Sequence, residues 1–405
     1  MGEIFLQGLK INNVRHLHDI DIPLSYEERK HLILTGKNGS GKTSVLETIK
    51  AYFEGLEENQ IHLEYWKKRL DVYMSAEREP NETLMLQEYD YMKRPIAQRY
   101  TYREAIEKYS KISIQFSEQS NLYYSLRSNE YMFVYFPAKR DVKYREVSGP
   151  QKLDFQKVPQ LYNNFSPSFL QYLVNQKTEL SFAQVDKDQS QSKSIEKWFD
   201  DFENILQQMY GQNVKLEFDR KEWNFYLLLD GHERFDLNHL SDGYAAIMNI
   251  ISELLLRINA NYQFRGVVLI DEIETHLHIE LQRKILPLLT TFFPQIQFIV
   301  TTHSPFVLSS VNNAIIYDLE KRERVEDMSG YSAESIIESY FDVDQYSDLV
   351  KRKVKEYEEL SQKAELTVEE SNRFRELEKY FNKFPLSLAP ELSLKINNIR
   401  LKKIA

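Results

Sequence analysis

Apolar positions along this chain fall into three kinds of pattern. Between residues 4 and 24 they alternate, marked by Ile11, Leu17, Ile20, Ile22 and Leu24. That predicts two strands joined by a turn near Asn12 and Asn13. Residues 31–35, 267–270 and 296–300 are short continuous apolar runs, as expected of strands buried on both faces. Helical spacing predicts helices over 42–53, 195–210, 244–258, 280–293 and 305–311. Residues 112–116 and 132–136 read as strands, 216–218 with 225–229 as a hairpin, and 186–194 as a polar linker. The tail is helical from about residue 345, with Val350, Val354 and Tyr357 in register. A Thr-x-x-Glu capping box, Thr367 to Glu370, opens a second tail helix bearing Phe374, Leu377 and Phe381, so the tail reads as a helical hairpin.

The strand–helix alternation after residue 244 predicts a mostly parallel sheet, hence an α/β fold. The chain divides into a head split over 1–55 and 210–340, an inserted helical and mixed arm over 56–209, and a helical tail over 341–405.

Composition narrows the chemistry. Lys and Arg number 52 against 61 Asp and Glu, a net charge of −9, which excludes a general DNA coater. Cysteine is absent, which excludes a disulfide scaffold, a thiolate zinc site and a cysteine nucleophile, and fits a reducing, cytoplasmic setting. The start, MGEIFLQGLKINN, lacks the basic and apolar regions of a signal peptide. No run approaches the roughly 18 apolar residues of a spanning helix, so no membrane partner is expected. Glycine is scarce, 12 residues in 405, yet Gly36, Gly39 and Gly41 cluster within six positions.

That cluster spells Gly36-Lys-Asn-Gly-Ser-Gly41-Lys42-Thr43, the phosphate-loop pattern G-x-x-x-x-G-K-[ST], between a predicted strand and a predicted helix. Glycines let the backbone curl so that successive N–H groups point at phosphate oxygens, and the helix start adds partial positive charge. Gly36, Asn38, Gly39, Ser40, Gly41, Lys42, Thr43 and Ser44 form the nucleotide-binding set. Lys42 is expected to lie exposed in the empty loop and to reach the β- and γ-phosphates of ATP, and the Thr43 hydroxyl to coordinate Mg²⁺. The strand 267–270 ends in Asp271 and Glu272. Asp271 is the candidate for the Mg²⁺ shell and Glu272 for polarising the attacking water. Two solvated acids at a strand tip would be the plain alternative.

Two further motifs follow. Leu240-Ser-Asp-Gly243-Tyr244 precedes a helix, with Ser241 able to cap it and Gly243 permitting close backbone approach. Thr301-Thr302-His303-Ser304-Pro305 ends a buried strand, with Ser304 as N-cap and Pro305 as first helical residue. His303 is expected at the C-terminal edge of the sheet, where it could contact the γ-phosphate. His276 and His278 could share a face, but no third metal ligand suggests itself.

In this order and spacing the four motifs resemble an ABC-type ATPase head, more narrowly the SMC, RecF and overcoming-lysogenisation-defect (OLD) lineage, whose soluble heads occur in bacterial anti-phage operons. The resemblance covers about residues 1–55 and 210–320. It implies an α/β P-loop head with a mixed or parallel sheet, in which two subunits sandwich ATP. Lys42 and Thr43 of one subunit would face Ser241, Asp242 and Gly243 of another, with Glu272 as general base and His303 as switch histidine. Asn13-Val-Arg15 resembles an Asn-Phe-Arg motif that puts Arg15 near the nucleotide, and the turn ending at Arg140 resembles a basic turn near it. The glutamine of the Q-loop stays open between Gln115 and Gln119. Asp242 and Tyr244 depart from the transporter signature.

Three functions are compatible with this pattern. The first is a dimeric or larger ATPase acting as sensor or regulator in anti-phage defence or DNA maintenance, with a separate nuclease or toxin as effector. Nucleic acid is a further partner that Tyr65-Trp66-Lys67-Lys68-Arg69, with Lys93, Arg94 and Arg99, could contact, although a solvated helical face explains that run equally well. The second is the ATP subunit of a transporter, against which the atypical signature and the arm argue. The third is an OLD-like nuclease. Asp342-Val-Asp344 mimics part of its metal site, but too little chain follows for a nuclease domain. The tail is open between a docking surface and packing on the head.

Overall fold

A computed structural model of the chain describes residues 3–59, 109–118, most of 121–153, 164–231, 233–259, 265–341, 347–363, 365–383 and 390–404. The basic aromatic run at 65–69, Lys93, Arg94, Arg99, Gln119, Asp342, Asp344 and much of the arm lie outside the described residues. The chain forms two compact units, Met1–Ser332 and Ala333–Ala405.

In the first unit, β1 (Leu6–Val14) and β2 (Leu17–Pro23) form an antiparallel hairpin, and β1 also pairs with β4 (Ile112–Phe116). Buried and exposed residues alternate in β2 and β4, so one face of this sheet packs and the other is wet. The hairpin turn falls at Arg15 and His16, slightly later than predicted, with Arg15 left-handed at φ +54°.

A six-stranded sheet is the centre of the unit. Its order is β12 (Glu323–Val325), β11 (Ala314–Asp318), β3 (His31–Thr35), β10 (Ile296–Thr301), β9 (Gly266–Ile270), β5 (Met132–Phe136). All neighbours are parallel except β11 and β12. Strands β3, β9, β10 and β11 are buried along their whole lengths, which is why the first three read as continuous apolar runs. The two sheets are tied by Gln297 of β10. Its Oε1 accepts from Leu6 N (2.7 Å), and its Nε2 donates to Leu6 O (2.9 Å) and Lys30 O (2.6 Å), so this fully buried amide is satisfied.

Helix α1 (Lys42–Asn59) runs from the glycine cluster, and its Val45, Leu46, Ile49 and Phe53 are buried in the core shared by both sheets. The strands β4 and β5 and the helices α2 (Phe169–Val185) and α3 (Gln189–Tyr210) belong to this same unit. Helix α3 also begins earlier than residue 195, because the Asp188 side chain caps it by accepting from Ser190 N (3.1 Å) and Gln191 N (3.0 Å). A meander of β6 (Val214–Asp219), β7 (Asn224–Leu229) and β8 (Glu233–Asp236) leads to α4 (Asp242–Asn259). Helix α2 packs on α3 and α4, and α5 (Ile279–Phe292) packs on α3 and α4.

The second unit contains α6 (Asp348–Gln362), α7 (Val368–Phe381) and α8 (Pro390–Ile404). Among the described residues, three helices stand where the apolar pattern predicted two. They share a core of Val354, Tyr357, Leu360, Leu377, Phe381, Leu392, Ile396 and Ile399. The predicted capping box at Thr367 is formed in both directions.

Candidate functional site

The strand order brings three loops together. β3 and β9 both flank β10, so the C-terminal ends of all three strands lie side by side. The glycine loop leaves β3, Asp271 and Glu272 leave β9, and residues 301–304 leave β10. This is the sheet edge at which parallel α/β folds bind ligands.

Gly36, Gly39 and Gly41 have φ of +131°, +84° and +98°. At Gly41 the need for glycine is twofold. Its φ is costly for any side chain, and a Cβ there would lie 2.8 Å from Leu17 Cδ1 of the β1–β2 hairpin. The hairpin tip carrying exposed Arg15 thus lies against the loop. Asn38 and Gly39 are exposed, whereas Ser40 and Ser44 are buried.

Lys42 is not exposed as expected. It is buried, and its Nζ donates to Gly36 O (2.8 Å) and Lys37 O (3.1 Å). An ammonium among curled carbonyls satisfies itself on the loop's own backbone. Burial lowers its pKa, opposed by the charges of Glu272, Glu274, Asp271 and Asp318.

Thr43 Oγ1 donates to Asp271 Oδ2 (2.9 Å), and Thr301 Oγ1 donates to Asp271 Oδ1 (2.6 Å). Asp271 is buried, so both carboxylate oxygens are held in a fixed orientation. A hydroxyl and a carboxylate facing each other are hard oxygen donors and fit a divalent cation such as Mg²⁺.

The chain then turns back through Glu272, left-handed at φ +43°. Glu272 N donates to Thr301 Oγ1 (2.7 Å) and Ile273 N to Thr301 O (3.0 Å). A left-handed glutamate is strained, and here five bonds over-determine it. Besides those two, Arg140 donates to Asp271 O (2.7 Å), Glu272 O (3.0 Å) and Ile273 O (3.2 Å). Arg140 is itself buried, with its pKa pulled down to about 10 by burial. Its guanidinium is therefore engaged with the backbone carbonyls of residues 271–273.

His303 sits half-buried at the end of β10. Burial lowers its pKa, Lys42 adds to the effect, and Glu274, Glu272 and Asp271 oppose it. The backbone N–H of His303 donates to Glu274 Oε1 (2.6 Å). Ser304 caps Pro305–Leu308 by accepting from Phe306 N (3.2 Å) and Val307 N (3.3 Å).

Ser241 and Asp242 are exposed at the start of α4, where Ser241 O accepts from Ala245 N (2.9 Å). Gly243 is buried, and a Cβ on it would lie 2.9 Å from His276 O. The close backbone approach expected of this glycine is thus made to residues 272–278 of the same chain. No hydrogen bond among the described residues links Ser241 or Asp242 to the phosphate loop. His278 is a helix cap, accepting at Nδ1 from Leu281 N (3.2 Å), and His276 is exposed. No metal-holding group of three His, Asp or Glu side chains exists among the described residues. Gln115 is exposed on β4. Sequence reasoning passed over Thr301, Glu274 and the structural use of Arg140, because their partners lie 29 to 133 residues away.

The family described as "AAA domain, putative AbiEii toxin, Type IV TA system" matches residues 117–309, a span that holds the signature helix, Asp271 and His303. The chain is similar to Septu protein PtuA of Bacillus mycoides, 25% identical over 351 residues, 83% of this chain and 44% of that protein. It is similar to the Retron Ec83 probable ATPase of Escherichia coli, 35% identical over 116 residues, 26% of this chain and 21% of that one. With the DNA replication and repair protein RecF of Rickettsia typhi it shares 38% identity over 55 residues, 14% of each. The chain thus spans less than half the length of these curated relatives. Among solved structures, the SMC head bound to the C-winged helix domain of ScpA aligns at TM-score 0.39 and 12% identity, covering 78% of this chain and 93% of that one.

Proposed function

We propose that this chain, an α/β P-loop head of the SMC/RecF/OLD lineage by its motifs and relatives, hydrolyses ATP to ADP and phosphate as a subunit of an anti-phage defence assembly. The observation that carries this reading is the meeting of Lys42, Thr43, Asp271 and His303 on one sheet edge, with Thr43 and Asp271 in direct contact. Lys42 leaves the Gly36 and Lys37 carbonyls for the β- and γ-phosphates. Thr43 and Asp271 hold Mg²⁺, which when bound neutralises phosphate charge. Glu272 orients the water that attacks the γ-phosphate and takes its proton, and His303 donates a hydrogen bond to that phosphate.

Arg15, on the hairpin tip beside the loop, contacts the nucleotide from the same subunit. Exposed Ser241 and Asp242, which no hydrogen bond among the described residues links to the phosphate loop of their own chain, meet nucleotide from a second subunit. ATP then closes two heads, and a separate effector reads that closure. No helix among the described residues is long and apolar enough to cross a membrane.

Glu272→Gln tests this. It keeps size and hydrogen bonding but loses basicity, and turnover is expected to fall by about 10²–10⁴-fold. ATP still binds, so closed pairs accumulate, seen by light scattering with and without ATP or by crosslinking the phosphate loop to Ser241 of another subunit. Normal turnover removes Glu272 from the mechanism, and no ATP-dependent contact between subunits removes the sandwich.

A further inference from the structure

Glu274 carries a hydrogen bond and an orphan. One carboxylate oxygen accepts from His303 N at 2.6 Å, and the other, Oε2, is buried with no partner among the described residues. A buried carboxylate oxygen without a donor is costly, so its retention calls for a reason beyond packing.

The setting supplies one. Left-handed Glu272 reverses the chain after β9, and Leu277 N closes a turn on Glu274 O (2.9 Å). That reversal aims the Glu274 side chain across to the loop after β10. A second link runs parallel to it. Ser304 Oγ donates to Gln282 Oε1 (2.6 Å), and Gln282 Nε2 donates to Leu277 O (2.7 Å). His303 therefore stands between two anchors, both reaching from residues 274–282. Only the first bears on its own backbone.

We infer that Glu274 is the positioning residue for His303: it clamps the histidine backbone to the acidic strand end, so that the ring is held toward the phosphate edge. The inference rests on the ATPase reading above. A clamp of this kind acts after nucleotide is bound, because the ring contacts the phosphate being transferred. It should govern kcat more than KM for ATP. It should also act only through His303.

A double-mutant cycle on the full chain reads that dependence, with ATP hydrolysis, ATP affinity and thermal melting measured for each protein. Glu274→Ala and His303→Ala are each expected to lower kcat by at least about 10-fold with KM within about 3-fold. The double variant is expected to be no slower than His303→Ala alone. Glu274→Gln retains an acceptor oxygen and should recover most of the lost rate. Multiplying losses in the double variant, or a Glu274→Gln protein as slow as Glu274→Ala, would overturn the clamp. If Glu274→Ala fails to melt cooperatively, the Gln variant decides alone. A wild-type protein that binds but never hydrolyses ATP, or an unaffected His303→Ala, refutes the parent reading instead.

Discussion

At the scale of single residues, burial decides protonation. His31 starts β3, and its Nδ1 accepts from Phe298 N (3.1 Å). Burial, with Arg29 and Lys30 adding to it, lowers its pKa from 6.5 to about 4. A histidine with a depressed folded pKa binds fewer protons folded than unfolded between those values. Stability therefore rises with pH across the window from about 4 to 6.5, and is lost as pH falls through it. The full shift corresponds to about 3 kcal/mol. His31→Gln keeps a neutral acceptor and should flatten this part of the pH–stability curve, measured by urea unfolding at pH 7, 6 and 5. An unchanged slope refutes the assignment. Lys42 offers a second test. Its Nζ bonds groups of its own loop, the Gly36 and Lys37 carbonyls and the Ser40 hydroxyl, so Lys42→Ala should melt within a few degrees of wild type while ATP affinity drops and turnover vanishes. Unchanged hydrolysis would remove Lys42 from the phosphate site.

Elements are joined by contacts that leave no room for ordinary side chains. The start of α4 approaches residues 272–278 so closely that a Cβ on Gly243 would meet a backbone oxygen, which cannot rotate away. Gly243→Ala must push α4 or the acidic turn aside. Overpacking of this kind typically costs about 1–3 kcal/mol. The expected result is a lower melting temperature together with slower ATP turnover, since the displaced turn carries Glu272 and Glu274. A variant that melts and turns over like wild type would show that the contact relaxes freely. Elements were legible wherever local pattern suffices, as in β3, β9, β10, α1 and the Thr367 capping box. The strands β8, β11 and β12 were missed. They are short, and none of them alternates: β8 and β12 are mostly exposed while β11 is wholly buried.

At the scale of the whole molecule, the described residues of the tail form a core cluster, with Tyr357 stacked on Phe374 at 4.7 Å. Ending the chain after Phe341 should therefore leave a protein that melts cooperatively and hydrolyses ATP near the full-length rate. If the tail docks an effector, pull-downs from native cells lose that partner. Aggregation of the shortened chain would mean the tail completes the head's core, and the docking idea fails.

What the sequence determined by itself was local: the apolar runs that must be buried strands, the glycines that must curl at 36–41, and the acids and histidine that end two of those strands. Each follows from a few consecutive residues. Only the tertiary structure decided which ends meet. The order β3–β10–β9 joins Thr43 to Asp271 across 228 residues, and the left-handed turn at Glu272 hands Glu274 to His303 across 29. It also decided that Lys42 rests on its own loop and that Arg140 braces backbone. Such pairings have no local periodicity to betray them, because hydrogen bonds between loops depend on where the sheet delivers each strand end.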